Sequence, residues 1–362
     1  MPWWIWLIFI IVLIGAMFIG FVFKTSTLIR NTILGGRFDD DNTLHYFTKD
    51  DFEGLNMESF TFKSNDYNLM GYLYSTDSEE KGIIVFAHGI GAGHIQYTTE
   101  INYYAQKGYR VYAFDAQGCL ASEGNGIDYF SNYVKNLDDF LTYLESLEAL
   151  KDKKYILIGH SLGGYGVNLM IRYHKEQILK IISLSGFYDV KTLLNGVLGM
   201  TNILGISTMM TKIMVNQDKK HLGTHSLSIE DVINEIEVPM LFVSGSEDTL
   251  VRTSINYERI KLLCENKDNF KFLLVGKREH RPLLTVEAAE YDEKRTIDFN
   301  NLKVQYKNKI PDAILKSYYD NLDYNLLVQL DDEVMHVLDQ FLEDKPLDRE
   351  TLISIGEVNE EA

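Results

Sequence analysis

The sequence predicts an α/β fold built on a mostly parallel, doubly wound sheet. Six short apolar runs end in Gly or in polar residues, a pattern that indicates buried parallel strands. Segments with apolar residues at helical spacing lie between these runs, and such alternation is typical of a sheet with helices on both faces. The six runs span residues 81–89, 109–116, 154–159, 180–186, 238–245 and 270–276.

A β-hairpin and several helices complete this pattern. Residues 59–76 alternate apolar and polar side chains on both sides of Asn65-Asp66, which predicts a hairpin at the start of the sheet. The spacing also predicts a final amphipathic helix over residues 324–344. The clearest of the intervening helical segments span residues 97–108, 134–150 and 164–176.

The first segment of the chain predicts a transmembrane helix. Residues 3–23 carry no charge and would extend about 30 Å as a helix, the thickness of a bilayer core. A cleaved signal peptide would have a basic region first and a shorter apolar stretch. Lys24, Arg30 and Arg37 follow the span, so the positive-inside rule predicts a single-pass cell-membrane protein with its body in the cytoplasm. Trp3, Trp4 and Trp6, all the tryptophans of the chain, lie at one end of the span, where indole rings favour the interface.

These patterns divide the chain into an anchor (3–23), a polar linker (24–50), one large domain (51–345) and an acidic tail (346–362). Two stretches interrupt the strand and helix alternation inside the domain. Residues 190–232 are rich in Leu, Ile and Met, and form either a packed helical cap or a flexible apolar lid over an acyl-chain pocket. Residues 283–325 are charged and rich in tyrosine, and the sequence indicates no function for them.

Composition excludes some partners. A formal net charge of -17 argues against nucleic acid as a ligand, because phosphate binding requires clustered Lys and Arg. Cys119 and Cys264 form neither a metal-ligand pair nor a disulfide framework. We therefore expect no metal, no cofactor and no nucleic acid partner, and the sequence does not indicate an oligomeric state.

The stretch from Gly159 to Gly163 carries the strongest chemical signal. It reads Gly-His-Ser-Leu-Gly, follows a predicted strand and precedes a predicted helix, which is the context that a G-x-S-x-G nucleophile elbow requires. Such a turn presents the Ser161 hydroxyl above the sheet edge. The N–H of Leu162, at the helix start, points toward developing negative charge.

A serine nucleophile needs a base and an acid that orients it. Asp248 follows the strand that ends at Gly245, and His280 follows the next strand, giving the chain order Ser, Asp, His. Glu247 and Asp189 are alternative acids.

The other histidines are weaker candidates for the base. His160 is too close in sequence to turn back on Ser161, and the periodicity of the last helix predicts a packed His336. His174, His221 and His225 follow no predicted strand.

The second oxyanion donor is expected in the glycine-rich loop at residues 86–94. Its glycines permit close backbone approach to a carbonyl oxygen, which predicts the Ile90 N–H as the donor and His88 as a structural member of the turn. A phosphate-binding loop is the rival interpretation, but the glycine spacing matches neither the P-loop nor the dinucleotide fingerprint.

Taken in order, "AHGIGAGH", "FDAQGCLASEG", "GHSLGG", "SGSEDTLV" and "GKREH" resemble the α/β-hydrolase superfamily, closest to its monoglyceride-lipase-like and serine-aminopeptidase-like branches. The resemblance covers residues 52–284 and the last helix. It implies oxyanion donors at Ile90 and Leu162. The chain departs from the family pattern at Leu120, where a second glycine is common, and in the insertion at 283–325.

The sequence as a whole predicts a membrane-anchored serine hydrolase that cleaves carboxylic esters through an acyl-enzyme on Ser161. The apolar span and the apolar first insertion favour a lipid-like ester. A peptidase or thioesterase would use the same triad, and a membrane-tethered binding protein that has lost catalysis is the alternative from another class.

Overall fold

A computed structural model describes residues 2–39, 47–91, 93–198, 205–225, 227–264 and 266–347. Its centre is an eight-stranded sheet with the order β1-β2-β4-β3-β5-β6-β7-β8. β1 and β2 form an antiparallel hairpin, β2 pairs antiparallel with β4, and the remaining neighbours are parallel. The strands are β1 (Asn56–Ser64), β2 (Tyr67–Ser75), β3 (Gly82–Ala87), β4 (Tyr109–Phe114), β5 (Tyr155–His160), β6 (Ile178–Leu184), β7 (Met240–Gly245) and β8 (Phe270–Val275).

Helices cover both faces of this sheet and extend beyond it at the amino terminus. They are α1 (Trp3–Leu34), α2 (Thr98–Gln106), α3 (Phe130–Ser146), α4 (Leu162–Leu169), α5 (Ile171–His174), α6 (Val190–Leu198), α7 (Ile206–Leu222), α8 (Ile229–Val232), α9 (Tyr257–Leu263), α10 (Val286–Gln305), α11 (Asp312–Asp320), α12 (Tyr324–Leu327) and α13 (Asp332–Leu342). The predicted fold class is confirmed, and each predicted strand is present.

Strand alternation divides the apolar side chains into two layers. Tyr155 and Leu157 of β5 join a cluster with α3 and α4, whereas Ile156 and Ile158 join a second cluster with α2 and α13. Because successive residues of a strand point to opposite faces, a continuous apolar run buries both faces at once. This explains why the central strands contain almost no polar residues.

The predicted boundary between anchor and linker at residue 23 falls inside one helix. α1 continues without a break to Leu34, and Val22, Ser26 and Leu34 are buried along one side of it. These positions recur at helical spacing, so the helix packs against the body of the protein from Val22 onward. Residues 40–46 of the predicted linker and 348–362 of the acidic tail lie outside the described residues.

The first insertion forms a cap between β6 and β7, made of α6, α7 and α8. Leu193, Leu194 and Met214 of the cap join the main core cluster, so one face of α6 and of α7 is packed. Residues 199–204 of this insertion lie outside the described residues.

The second insertion carries α10 and α11 on the surface. Ala288 is the one buried residue of α10, and Val304 is 79% exposed. A bridge between Leu284 and Leu330 closes the base of the insertion. The predicted last helix over 324–344 is wrong as a single element, because α12 ends at Leu327 and α13 begins at Asp332.

Candidate active site

The candidate active site lies at the carboxyl ends of the parallel strands. The loops after β3, β5, β7 and β8 carry Ile90, Ser161, Asp248 and His280. Because these strands are parallel, their carboxyl ends lie along the same edge of the sheet, where open α/β sheets place their ligands.

Ser161 occupies a sharp turn between β5 and α4. Its backbone has φ 57° and ψ -115°, a conformation that non-glycine residues rarely adopt. A Cβ at Gly159 would collide with the carbonyl of Gly163, and a Cβ at Gly163 would collide with the carbonyl of Ala87. The glycines therefore allow β5, α4 and the end of β3 to approach closely enough to form the elbow.

Asp248 and His280 form a hydrogen-bonded pair. His280 Nδ1 lies 2.8 Å from Oδ2 of Asp248, whose side chain is fully buried. The other carboxylate oxygen accepts the backbone N–H groups of Leu250 at 3.0 Å and Val251 at 2.8 Å. Burial raises the pKa of Asp248, but the hydrogen bond and the electrostatic attraction of His280 outweigh burial and hold the pKa below its ordinary value. Asp248 is thus an oriented carboxylate at neutral pH.

The alternative acids do not occupy this position. The Glu247 side chain is exposed. Asp189 accepts the backbone N–H of Thr192 at 2.6 Å and so caps the start of α6. The structure therefore brings His280 to Asp248 and gives the two neighbours other roles.

His160 links the elbow to the loop that carries His280. Its Nε2 lies 2.7 Å from the carbonyl oxygen of His280, and its Nδ1 lies 2.8 Å from Oη of Tyr97. Since a carbonyl only accepts, Nε2 carries the proton and Nδ1 accepts from the tyrosine. Tyr97 Oη in turn accepts the Gly89 N–H at 3.0 Å. Burial lowers the pKa of His160 to about 3, so this ring is neutral.

The rings of His160 and His280 have centroids 4.8 Å apart. Because His160 immediately precedes Ser161, this contact brings the candidate base to the elbow. The loop after β3 lies on the other side, since a Cβ built at Gly89 would be 3.2 Å from Cβ of Ser161. The loop that carries Ile90 therefore adjoins the candidate nucleophile.

Leu162 is the first residue of α4, so its N–H is one of the amides that have no partner within the helix. Together with the neighbouring Ile90 loop, it forms a place where two backbone donors can meet an oxyanion. His88 is structural. Its Nδ1 lies 2.6 Å from the Gly89 carbonyl and its Nε2 accepts the Ala116 N–H at 3.0 Å. Burial lowers the pKa of His88 to about 4.

A buried cluster of polar side chains supports the glycine-rich loop. Asp115, which is fully buried, accepts the backbone N–H of His94 at 2.9 Å and lies 2.8 Å from His94 Nδ1. The Tyr72 hydroxyl donates to the other oxygen of Asp115 at 2.8 Å. Sequence reasoning missed these residues because their three segments are far apart in the chain. The sequence signal that could have found them is Asp115, an acidic residue near the end of the apolar run 109–116.

Two arginines of the His280 loop form ion pairs that hold the loop in place. Arg281 Nη2 lies 3.3 Å from Oε1 of buried Glu100, on α2. Arg278, also buried, lies 2.6 Å from Asp331 and donates through Nε to the Leu284 carbonyl at 2.5 Å. No sequence pattern predicts either pair, since each partner lies on a distant element.

Leu120, the departure from the family pattern, adopts φ 45°. This left-handed conformation normally favours glycine. Its N–H donates to the Phe38 carbonyl at 2.8 Å, and its own carbonyl accepts from Arg37. The segment after α1 therefore holds Leu120 in place.

The remaining histidines lie elsewhere. His174 and His225 contact carboxylates beside α3, and His221 lies 2.8 Å from Asn132 Oδ1. The prediction that His336 packs inside the last helix is wrong. His336 is exposed because it lies on the solvent side of α13, whereas the opposite side of the helix is buried. Among the described residues, no group of three or more His, Cys, Asp or Glu side chains is arranged to hold a metal ion.

A mostly parallel sheet with a serine elbow and a later His-carboxylate pair at one edge is the architecture of an α/β-fold serine hydrolase. Residues 78–228 match a family model described as serine aminopeptidase, S33. No curated protein matches the chain by sequence.

Solved structures share the fold. An esterase from Pyrococcus furiosus superposes with a TM-score of 0.52 at 16% identity, covering 74% of this chain and 96% of that chain. A second crystal form of the same esterase gives 0.51 at 16% identity over 72% of this chain and 94% of that one. The esterase therefore shares the fold of this chain, and the family match over residues 78–228 makes this part of the chain similar to serine aminopeptidases.

Proposed function

We propose that this protein is a membrane-anchored serine hydrolase that cleaves lipid-like carboxylic esters through an acyl-enzyme on Ser161. The observation that carries the proposal is the 2.8 Å bond between His280 and buried Asp248, held at the sheet edge next to the Ser161 elbow. Ser161 is the nucleophile, His280 the base and Asp248 the acid that orients it. Ile90 and Leu162 supply the oxyanion N–H groups.

The bond to Asp248 sets the tautomer of the base. An ionised carboxylate only accepts hydrogen bonds, so the proton of neutral His280 lies on Nδ1. Nε2 then has a lone pair to take the proton of the Ser161 hydroxyl. The buried carboxylate stabilises the imidazolium that results.

Each bond change has a residue to assist it. Ser161 Oγ attacks the ester carbonyl carbon while His280 takes its proton, and the N–H groups of Ile90 and Leu162 stabilise the carbonyl oxygen as it becomes negative. The carbon–oxygen bond to the alcohol then breaks, and His280 protonates the leaving alcohol. Water next gives a proton to His280 and attacks the acyl-enzyme, which releases the acid and restores Ser161.

The lipid-like substrate and the membrane location are supported by α1 and by the cap. α1 is long and apolar enough to cross a membrane, with a mean hydropathy of 3.0 and 6% of the apolar window buried. Lys24, Arg30 and Arg37 follow the span, which supports a cytoplasmic catalytic domain in the cell membrane. The cap is rich in Leu, Ile and Met and occupies the insertion after β6.

A peptidase is the second candidate, because the matching family model is described as a serine aminopeptidase. A thioesterase would require the same residues. Parallel rate measurements on p-nitrophenyl esters, monoacylglycerols, an acyl thioester and aminoacyl p-nitroanilides separate these classes. We expect the highest kcat/KM on a medium- or long-chain ester, and a preference for the aminoacyl substrates would overturn that expectation.

Labelling with a fluorophosphonate tests the nucleophile itself, because such probes react with activated serines. We expect labelling of the intact protein and none of Ser161→Ala, whose hydrolysis should fall by at least about 10⁴-fold. Ser185→Ala is the matched control, since Ser185 is a buried strand-end serine with positive φ after the neighbouring strand β6. An intact protein that neither labels nor hydrolyses any substrate of the panel would instead indicate a non-catalytic binding protein.

A further inference from the structure

α1 is longer than a bilayer requires. Its 32 residues extend about 48 Å, whereas a hydrocarbon core is about 30 Å thick. The extra turns begin near Lys24 and contain neither glycine nor proline before the helix ends at Leu34. α1 is therefore a stiff rod that continues from the apolar span into the hydrolase, and this starting point rests on the membrane anchoring proposed above.

The extra turns pack against α7 of the cap. Gln217 of α7 accepts from Arg30 Nη1 at 3.1 Å and donates to Thr27 Oγ1 at 3.2 Å. Val22 and Ser26 are fully buried although Phe21 and Phe23 are exposed, so one stripe of α1 is covered by its neighbour. α7 is the helix against which α1 packs most extensively.

Two further contacts fix the relative direction of these helices. The Arg30 guanidinium lies 4.4 Å from the ring centroid of Tyr129, and His221 stacks on the same ring at 4.2 Å. The Leu34 carbonyl accepts the N–H of Asp128 at 2.8 Å. Both helices therefore approach the loop at 128–129 as they run toward their carboxyl ends, α1 from Arg30 to Leu34 and α7 from Gln217 to His221. α1 and α7 run side by side in the same direction, and the first turn of α7 points toward the membrane.

Distances along the axes of α1 and α7 place the first turn of α7 beside the apolar span of α1. Gln217 lies about three turns, or about 16 Å, beyond Ile206 at the start of α7. The same distance back along α1 from Arg30 reaches Ile19, inside the apolar segment.

α1 and α7 expose similar residues at the same distance from their mutual contact. Lys24 and Lys212 are both exposed, and each lies about 7 Å before the contact that Gln217 makes with α1. Nearer the amino terminus of each helix an exposed residue is apolar: Phe23 directly precedes Lys24 on α1, and Met209 lies about one turn before Lys212 on α7. An apolar surface followed by a lysine at a common height fits acyl chains followed by lipid headgroups.

We infer that the first turn of α7, from Ile206 to Met210, is a second membrane contact that rests in the bilayer interface beside α1. Its partner is the lipid surface itself. The anchor then holds the cap at the bilayer in a fixed orientation, so that substrate reaches the cap laterally from the membrane. A flexible tether would leave the cap free to face the solvent.

Site-specific labels test this contact in the full chain. Met209→Cys and Asn216→Cys place a bimane label on the same face of α7, two turns apart, and both positions are exposed. The native thiols Cys119 and Cys264 are buried. In phosphatidylcholine–phosphatidylglycerol vesicles we expect doxyl-labelled lipid to reduce the emission at 209 at least twofold and to leave 216 unchanged, with aqueous iodide doing the reverse. Iodide quenching of both labels without lipid quenching would overturn the inference.

Tryptophan emission separates this result from failure of the anchor. Trp3, Trp4 and Trp6 are the only tryptophans of the chain, so quenching of their emission by brominated lipid reports α1 alone. Quenched tryptophans with an unquenched label at 209 would overturn the α7 contact and leave the anchor intact. Unquenched tryptophans would overturn both.

Charge reversal provides a functional test with a matched control. Lys212 and Lys219 are exposed on the same face of α7, but Lys219 lies about 10 Å farther from the membrane side. We expect Lys212→Glu to slow hydrolysis of an ester in anionic vesicles at least threefold while a soluble short-chain ester is cleaved normally. Lys219→Glu should leave both rates unchanged, and equal losses in the two variants would contradict the proposed membrane contact.

Discussion

Two histidine-carboxylate clusters in this protein share the same bond length, and we propose opposite roles for them. At the sheet edge, His280 Nδ1 lies 2.8 Å from Asp248. Beside α3, His174 Nδ1 lies 2.8 Å from Glu145 and its Nε2 lies 3.0 Å from Asp138. Within the described part of the chain, His280 has a side-chain partner at one ring nitrogen and His174 has one at both.

The number of acceptors decides what each ring can do. Both nitrogens of His174 face carboxylates, which only accept, so the ring is an imidazolium with both protons in use. Burial lowers the pKa of His174, but the hydrogen bond to Asp138 and the charges of Glu145 and Asp138 outweigh it and raise the pKa overall. His280, bound at one nitrogen, keeps a lone pair for proton transfer. A short His-carboxylate bond therefore does not identify a catalytic base unless the second nitrogen is free.

The largest expected effect tests the catalytic cluster. Asp248→Asn should lower kcat by about 10⁴-fold, because the amide no longer fixes the Nδ1–H tautomer of His280. Glu247→Gln and Asp189→Asn, which alter the other candidate acids, should change kcat less than about threefold, with p-nitrophenyl butyrate as the substrate. If either neighbour costs more activity than Asp248→Asn, the acid has been assigned to the wrong residue.

The structural cluster should respond in stability. Asp138→Asn removes the carboxylate shared by His174 and His225 and leaves charged His174 with one partner. Breaking such a partly buried pair should lower the free energy of unfolding by about 3 kcal/mol, measured by urea denaturation in detergent, with kcat/KM nearly unchanged. Glu148→Gln, at an exposed site after α3, should alter neither quantity. A large loss of kcat/KM in folded Asp138→Asn would give this cluster a catalytic role.

A smaller effect is expected on the pH dependence of stability, through the titration of His174. The groups around His174 are Asp138, Glu145 and Tyr155, whose hydroxyl donates to Glu145 at 2.6 Å, with Lys135 and His225 on the far side of Asp138. Because the folded pKa of His174 is raised, its stabilisation is complete below about pH 6.5, the value of an unfolded histidine, and is lost as pH rises through the folded pKa. The difference in unfolding free energy between the intact protein and His174→Gln should therefore shrink from pH 6 to pH 9. A difference that grows with pH would show that His174 is neutral in the fold.

The smallest effect concerns the neutral histidine next to the nucleophile. Tyr97→Phe leaves Gly89 N–H and His160 Nδ1 without the hydroxyl that joins them, and should cost about 1–2 kcal/mol of unfolding free energy. Tyr104→Phe is the matched control on α2, the helix that begins directly after Tyr97, since its buried hydroxyl has no hydrogen-bond partner among the described residues. That control should be neutral or slightly stabilising. Equal losses in both variants would mean that the Tyr97 hydroxyl contributes only packing.

The features that the sequence predicts correctly are those that depend on residues close together in the chain. Apolar runs located β3 to β8, and alternating apolar and polar residues located the β1–β2 hairpin. The Gly-His-Ser-Leu-Gly turn with later Asp248 and His280 located the candidate site, because each signal lies within a few adjacent residues. The packed part of α1 was missed because its stripe of Val22, Ser26 and Leu34 continues directly from an apolar span, where burial has no contrasting pattern.

Other features depend on pairs of distant residues. The carboxylates around His174 come from α3, and Asp115 meets Tyr72 and His94 only after three segments have assembled. No spacing rule joins such partners before the fold is known. The break between α12 and α13 was missed because residues on both sides of it keep helical periodicity, while Asp331 caps the second helix by accepting from Glu333 and Val334.

The hydroxyl of Tyr97 also fixes which amide of the glycine-rich loop can serve an ester substrate. Gly89 carries one backbone proton, and that proton is already shared with Tyr97 at 3.0 Å. In the proposed reaction the oxyanion must then take its hydrogen bond from the next amide along, at Ile90. Tyr97→Phe would free the Gly89 proton and give the loop two adjacent amides that compete for the same oxygen, so in the proposed reaction the register of substrate binding depends on the Tyr97 hydroxyl.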